Sequence, residues 1–283
     1  MTALAPRPSA LASLLPGFRL RIGVAAALVL LLLSFASTVW TPYPVDHVDT
    51  LAMMQGPSDA HLLGTDATGR DLLAIVMKGV LTSFVVAAIA TSIGLMIGVP
   101  LGVGAATGGV WAERILLGGS GFLLSLSALG LAVILTALIG ASALNGMLAI
   151  GLFNVAVFAR ATHGALVHYR GRDDIAASRL AGLNRWELAR QHVLPGFMPV
   201  LAATAIAQLA TGVLLEAALS YVGVAAQPPG TSLGLMLREA QGVLQLAPHL
   251  ALVPGVALLL VSLALTLIAT GIRLHFREVR DAA

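Results

Sequence analysis

The sequence contains no cysteine, so neither a disulfide framework nor a thiolate metal site is available to it. It contains a single lysine, Lys78, and no GxxxxG loop leads into it. A Walker-type phosphate cradle is therefore excluded, and any ATP-driven process involving this chain must draw its energy from another polypeptide. HExxH is absent, and none of the seven histidines has a partner at i,i+4 on one helix face, so we identify no catalytic constellation and no metal site. Charge is scarce as well. Charged residues make up 10% of the chain, against about a quarter in soluble domains.

What fills the space is apolar. Hydrophobic residues make up 58% and the mean hydropathy is +0.94. The few charges cluster, leaving uncharged blocks at 22–40, 79–112, 115–159, 193–237 (broken only by Glu216) and 240–272. A membrane span needs about 20 apolar residues. The block 115–159 holds two, with a weak turn between Ala141 and Gly146, and the others hold one each. The expected architecture is an all-α integral membrane protein of six transmembrane helices over 22–272. The first span, 22–40, ends at Trp40, an interfacial anchor, and its length favours an uncleaved span over a cleavable leader.

Basic residues orient the bundle. With both termini in the cytoplasm, thirteen of the sixteen basic residues lie inside; only Arg70, Lys78 and Arg238 lie outside. The pI near 9.9 then reflects topology, and no basic stripe for nucleic acid is present. This gives a cytoplasmic tail at 1–21, an external segment at 41–78, a cytoplasmic loop at 165–196, an external loop at 223–248 and a cytoplasmic tail at 273–283. In the first external segment Gly64 and Gly69 suit turns and Asp66 suits a helix cap, with Arg70 and Asp71 available for pairing. Asp46, His47, Asp49, Met53, Met54 and His61 collect there too, at spacings that fit no metal template. Gly94, Gly98 and Gly102 recur every fourth residue on the second span and allow another helix to approach closely. Inside the fifth span, Gln208 and Glu216 are the candidates for a polar lining of a solute path, because an ionisable group in a span is costly. Their other reading is a structural hydrogen bond. In the following loop Ser232 is placed to cap a short helix, and Pro248 to open the last span.

The longest polar island between the later apolar blocks runs from Arg172 to Gly196. Asp173 and Asp174 cap a first short helix through Ala181, and Gly182 supplies the left-handed residue that closes it. Asn184 with Glu187 forms a capping box for a second helix, which runs towards His192 and stops before Pro195. Two short helices joined at a glycine make a compact knob between spans.

Ala176-Ala177-Ser178, Gly182 and His192-Val193-Leu194-Pro195 resemble, in ungapped register, the EAA loop of ABC importer permeases, with Ala176 in place of the Glu that names the loop. His61-Leu-Leu-Gly-Thr-Asp-Ala-Thr-Gly-Arg-Asp71 resembles the stretch before the second helix of the dipeptide, oligopeptide and nickel permeases. Leu215 to Gly223 resembles the peptide-type members, and Ala177 to Gly182 is closer in wording to the nickel members. The resemblance covers about 20 to 276. It implies a type I importer permease, the second (C-type) of two permease subunits, in a bacterial inner membrane. It further implies partners: a similar permease, two cytoplasmic ATPase subunits that hold ATP and Mg, and an extracytoplasmic substrate-binding protein. This chain itself would hold no cofactor and would not be an enzyme. The loop Asp173–Pro195 would be the element that docks on the ATPase, and the solute would be a peptide, nickel or a metal chelate. An ion-coupled carrier and a non-transporting membrane scaffold are the competing classes. The first needs more intramembrane ionisable groups than Glu216 alone, and internal repeats that the chain lacks.

Overall fold

The computed structural model describes residues 10–45, 47–170 and 194–282. Helix α1 spans Ala10–Ala36, α2 Leu72–Thr107, α3 Gly109–Ser125, α4 Ala128–Ile139, α5 Ala143–Arg170, α6 Leu194–Val222, α7 Leu233–Ala240 and α8 His249–Ala282. Of these, α1, α2, α5, α6 and α8 are each long and apolar enough to cross a bilayer; α3 and α4, bent by 84° at their junction, are long and apolar enough only as a pair, which gives six crossings if the pair is one span.

The centre of the bundle is α2. At 36 residues it is about 54 Å long, well beyond the roughly 30 Å of hydrocarbon it has to cross. It starts at Leu72, inside the expected external segment 41–78. Asp71 caps it, Oδ2 accepting from the Ala74 amide at 2.9 Å. Asp66, expected to cap a short helix in the external segment, instead closes a tight turn through its own side chain. Lys78 does not delay the start, because Leu72, Ile75 and Val76 of the apolar run before it are buried in a core shared with α7 and α8.

The three glycines on α2 meet α5 directly. A methyl at Gly94 would lie 2.5 Å from Asn154 Cβ, one at Gly98 2.5 Å from the Val155 carbonyl, and one at Gly102 2.5 Å from the Ala159 carbonyl. Helix axes this close gain dispersion along their whole length, which in lipid replaces the hydrophobic drive between spans. The face is spent within this subunit. Gly212 of α6 sits against Ala87 of α2 in the same way.

Helix α1 belongs to the bundle. A methyl at its Gly23 would lie 2.9 Å from Ala264 O, and one at Gly271 of α8 2.9 Å from Leu20 Cβ, so each glycine lets the other helix approach closely. It also begins at Ala10, inside the expected tail, and ends at Ala36, whose carbonyl accepts from Val39 and Trp40. At the other boundary of the expected cytoplasmic loop, α5 runs on to Arg170.

The third crossing differs from expectation. A single span over 115–139 is broken at Leu126, which is extended (φ −84°, ψ 118°). Ser127 caps the new helix by accepting from the Gly130 amide at 3.0 Å, while the Leu126 amide and the Ser125 hydroxyl both return to the Phe122 carbonyl and close the old one. Two serines flanking one leucine thus give the backbone an alternative to continuing the helix. Helix α4 then packs Ala128, Leu131 and Ala132 against α5 and α6. After it, Gly140 turns with φ 89°, and the Ser142 hydroxyl accepts from Asn145 to start α5.

Candidate functional site

Of the residues expected to dock on an ATPase, Asp173, Asp174, Ala176, Ala177, Ser178, Gly182, Asn184, Glu187 and His192 lie outside the described residues. Leu194 and Pro195 form the first turn of α6, where proline is tolerated because its missing amide would have had no partner. The ends of α5 and α6 that flank this loop lie at the end of the bundle opposite residues 41–71.

Gln208 and Glu216 occupy different environments, and each has partners that sequence spacing could not supply. Gln208 donates from Nε2 to Asn154 Oδ1 at 2.9 Å, tying α6 to α5 beside the Gly94 contact. Asn154 is 1% exposed and its Nδ2 has no hydrogen-bond partner among the described residues. Glu216 is 1% exposed and lies in a pocket of three serines contributed by three elements. Its Oε1 accepts from Ser220 Oγ at 2.6 Å, and that hydroxyl in turn accepts from the Ala226 amide at 3.1 Å. Ser83 of α2 accepts from the Leu233 amide at 3.4 Å, and Ser232 caps α7 by accepting from the Leu235 amide at 3.3 Å. Glu216 therefore stands where α2, α6 and the first turn of α7 converge.

The convergence explains how α7 is held. A methyl at Gly79 of α2 would come within 3.4 Å of Ser232 C and Leu233 N, and one at Gly234 would overlap the Ala217 backbone of α6. Leu233, Leu235 and Met236 are buried below this contact. The short helix is thus wedged backbone-to-backbone between two spans, with the Glu216 cluster at its start. One oxygen of the buried carboxylate, Oε1, is hydrogen-bonded, which offsets part of the cost of burying it, while Oε2 has no hydrogen-bond partner among the described residues. The letters Gly230-Thr-Ser-Leu-Gly234 also spell a G-x-S-x-G string. Ser232 is 0% exposed and engaged as a helix cap, which gives it the role of a structural residue and not of a nucleophile.

The segment 41–71 forms a folded cap beside α7. Asp66 Oδ1 accepts from the Thr68 amide (2.7 Å), the Thr68 hydroxyl (2.7 Å) and the Arg70 amide (2.9 Å), and Oδ2 accepts from Arg70 Nε at 2.6 Å. Gly64 and Gly69 take φ of 86° and 84°, as turns there require. His61 Nδ1 lies 3.0 Å from Asp71 Oδ1, and Asp49 accepts from the Leu51 amide at 2.9 Å. Asp46 lies outside the described residues. Arg70 reaches across to α7, Nη2 lying 3.6 Å from Glu239 Oε2. Burial pushes the Glu239 carboxyl above its ordinary value; the Arg70 and Arg238 guanidiniums oppose that shift and the Asp66 carboxylate adds to it.

Comparison with known proteins agrees with this architecture. Residues 98–278 match the family described as binding-protein-dependent transport system inner membrane component. The chain is 32% identical over 260 residues to the glutathione transport system permease protein GsiD of Pectobacterium atrosepticum, covering 90% of this chain and 86% of the relative. It is 34% identical over 237 residues to a putative peptide permease protein of Brucella suis, covering 83% and 78%. Among solved structures, the MetNI methionine ABC transporter in an inward-facing conformation superposes with a TM-score of 0.56 over 74% of this chain and 95% of that one, at 21% identity, which supports the type I importer fold. The relatives are transport subunits and not enzymes. The chain belongs to the family of binding-protein-dependent transport system inner membrane components, as a multi-pass permease subunit of an ABC importer.

Proposed function

We propose that this permease moves short peptides, glutathione-like tripeptides among them, inward across the inner membrane, and that ATP bound to separate subunits drives the movement. The observation that carries the reading is the identity of 32–34% spread over 83–90% of the chain with permeases named for glutathione and peptides. The lack of any phosphate cradle in the chain supports a motor on another polypeptide.

In this reading a second, similar permease completes the path and an extracytoplasmic binding protein delivers the solute. Two ATPase subunits grip the loop Asp173–Pro195 from the cytoplasm. Nucleotide-driven closure of the ATPases shifts the bundle between inward- and outward-facing states, the differential contact at the loop supplying the bias. Both termini are then cytoplasmic, as the basic residues require. Ala176 removes a carboxylate from the loop's first turn, and Asp173 and Asp174 supply charge at the same helix end. Glu216 and Gln208 have protein partners, which supports structural roles for both.

Uptake of radiolabelled glutathione, a dipeptide and nickel by cells carrying or lacking the gene tests the reading. Peptide uptake lost on deletion, sensitive to ATP depletion and insensitive to a protonophore, is the expected result. Nickel is kept as an arm because of the wording at Ala177–Gly182, and uptake of nickel alone would overturn the peptide assignment. Dependence on the proton gradient would restore the ion-coupled class.

A further inference from the structure

At the 41–71 end of the bundle an opening of about 280 Å3 lies between the folded cap and α7. That places it at the lower end of the roughly 300–1,000 Å3 typical of small-molecule sites. Its floor is made of buried apolar side chains, Leu72 (1% exposed), Ile75, Met236 and Leu250. Its rim carries Asp66, Arg70 and Glu239.

The three charges are not equivalent. Asp66 has both oxygens occupied by the four hydrogen bonds described above. Arg70 is committed to Asp66 through Nε, and its 3.6 Å approach to Glu239 is an ion pair too long for a hydrogen bond. Among the described residues, no side-chain or backbone donor hydrogen-bonds the Glu239 carboxylate, which is 48% exposed. The next cation, Arg238, lies over Gly223 and does not line the opening, though its charge still acts on Glu239. The wall itself holds two carboxylates and one guanidinium, and the carboxylate with open lone pairs is Glu239.

We propose that this opening binds a primary ammonium group carrying a short apolar chain, the ammonium donating to Glu239 and the chain lying on Leu72, Ile75, Met236 and Leu250. An anion would meet two carboxylates and one wall cation, Arg70, which Asp66 already holds. A divalent cation would need several free oxygens, and of the Asp66 oxygens Oδ1 already accepts three bonds and Oδ2 is held by Arg70. An ammonium needs one carboxylate with open lone pairs and gains from the low-dielectric floor beneath it. Two sources offer this chemistry, the amino end of a short peptide arriving from outside and the ethanolamine headgroup of a lipid at the membrane interface. The site does not depend on which solute the permease carries.

The test uses the full-length chain in phosphatidylcholine nanodiscs and follows thermal unfolding with leucinamide, with N-acetyl-leucinamide as the chargeless control. Leucinamide should raise the melting temperature in a concentration-dependent way and N-acetyl-leucinamide should not. Glu239→Gln should abolish the shift, and Glu239→Asp, which keeps the charge on a shorter arm, should retain part of it. In nanodiscs containing phosphatidylethanolamine, a lipid occupant would raise the melting temperature of the wild type but not of Glu239→Gln, and leucinamide would add nothing. A free-amine occupant would leave the leucinamide shift intact there. Equal shifts in wild type and Glu239→Gln, or no response to either leucinamide or phosphatidylethanolamine, would overturn the proposal. Neither result bears on peptide uptake, so the two readings fail separately.

Discussion

Replacing Gly98 by alanine tests whether the close approach of α2 and α5 holds the bundle together. The added methyl would meet the Val155 carbonyl oxygen at 2.5 Å and Phe158 Cβ at 2.8 Å. Ordinary carbon–oxygen contacts begin near about 3.3 Å, so the helices must part by roughly 0.8 Å at this level. A gap of that size forfeits about a quarter to a half of the dispersion well for each contact that opens. Overpacking of this kind costs about 1–3 kcal/mol. Alanine is the better helix former by about 1 kcal/mol, which offsets part of that cost. Gly118→Ala is the control, because a methyl on that α3 residue meets nothing within 4 Å and should register only the propensity gain. The two variants should therefore differ by about 1–3 kcal/mol, with Gly98→Ala the less stable. Denaturant or thermal unfolding of the purified chain in lipid nanodiscs measures the difference. Equal stability of the two would refute the claim that the Gly94–Gly98–Gly102 face is a backbone contact.

Three further outcomes follow from other parts of the molecule. Ser127→Ala removes the cap of α4 and should cost about 1 kcal/mol, seen in thermal unfolding; an unchanged melting point would mean that the break does not depend on the serine. Ser220→Ala leaves the buried Glu216 Oε1 and the Ala226 amide without their partner and should cost about 1–3 kcal/mol, with proteolysis appearing first in the 223–248 segment; a stability within error of wild type would show that the Glu216 cluster does not hold α7. Gly182→Val should impair solute uptake while the subunit still inserts, since a β-branched residue resists positive φ; normal uptake would count against the helix–glycine–helix reading of the loop.

Much of the bundle was legible because lipid imposes a simple rule: apolar blocks bounded by charge become spans. The period-four glycines on α2, the Ser232 cap and the Pro248 start could be read from local chemistry alone. The boundaries were harder. Lys78 looked like an interface, yet five of the six apolar residues before it are buried, and Leu72, Ile75 and Val76 pack with α7 and α8, elements some 150 residues away in the chain. The α3–α4 bend was hidden for a different reason. Hydropathy reports how apolar a run is and carries no direction, and the signal, Ser125 and Ser127 astride Leu126, is only two hydroxyls in a long apolar block. Asp66 and Asp71 sit five residues apart, and both are competent caps. Only the fold decides that one closes a turn and the other starts α2. Glu216 was visible as an anomaly, but its surroundings were not, since Ser83 and Ser232 reach it from elsewhere in the chain. Asn154, the partner of Gln208, carried no signal of its own beyond being an amide inside a span. The loop Asp173–His192 was read wholly from caps and resemblance.

The central claim is that a motor on another chain works this bundle through that loop. The most direct measurement is disulfide cross-linking of Asn184→Cys to a cysteine placed in the groove of the ATPase, made simple by the absence of native cysteines in this chain. The account predicts a cross-link whose yield changes when nucleotide binds. A cysteine at that position that labels from the extracytoplasmic side, or that never cross-links to the ATPase in a transport-competent complex, would contradict it.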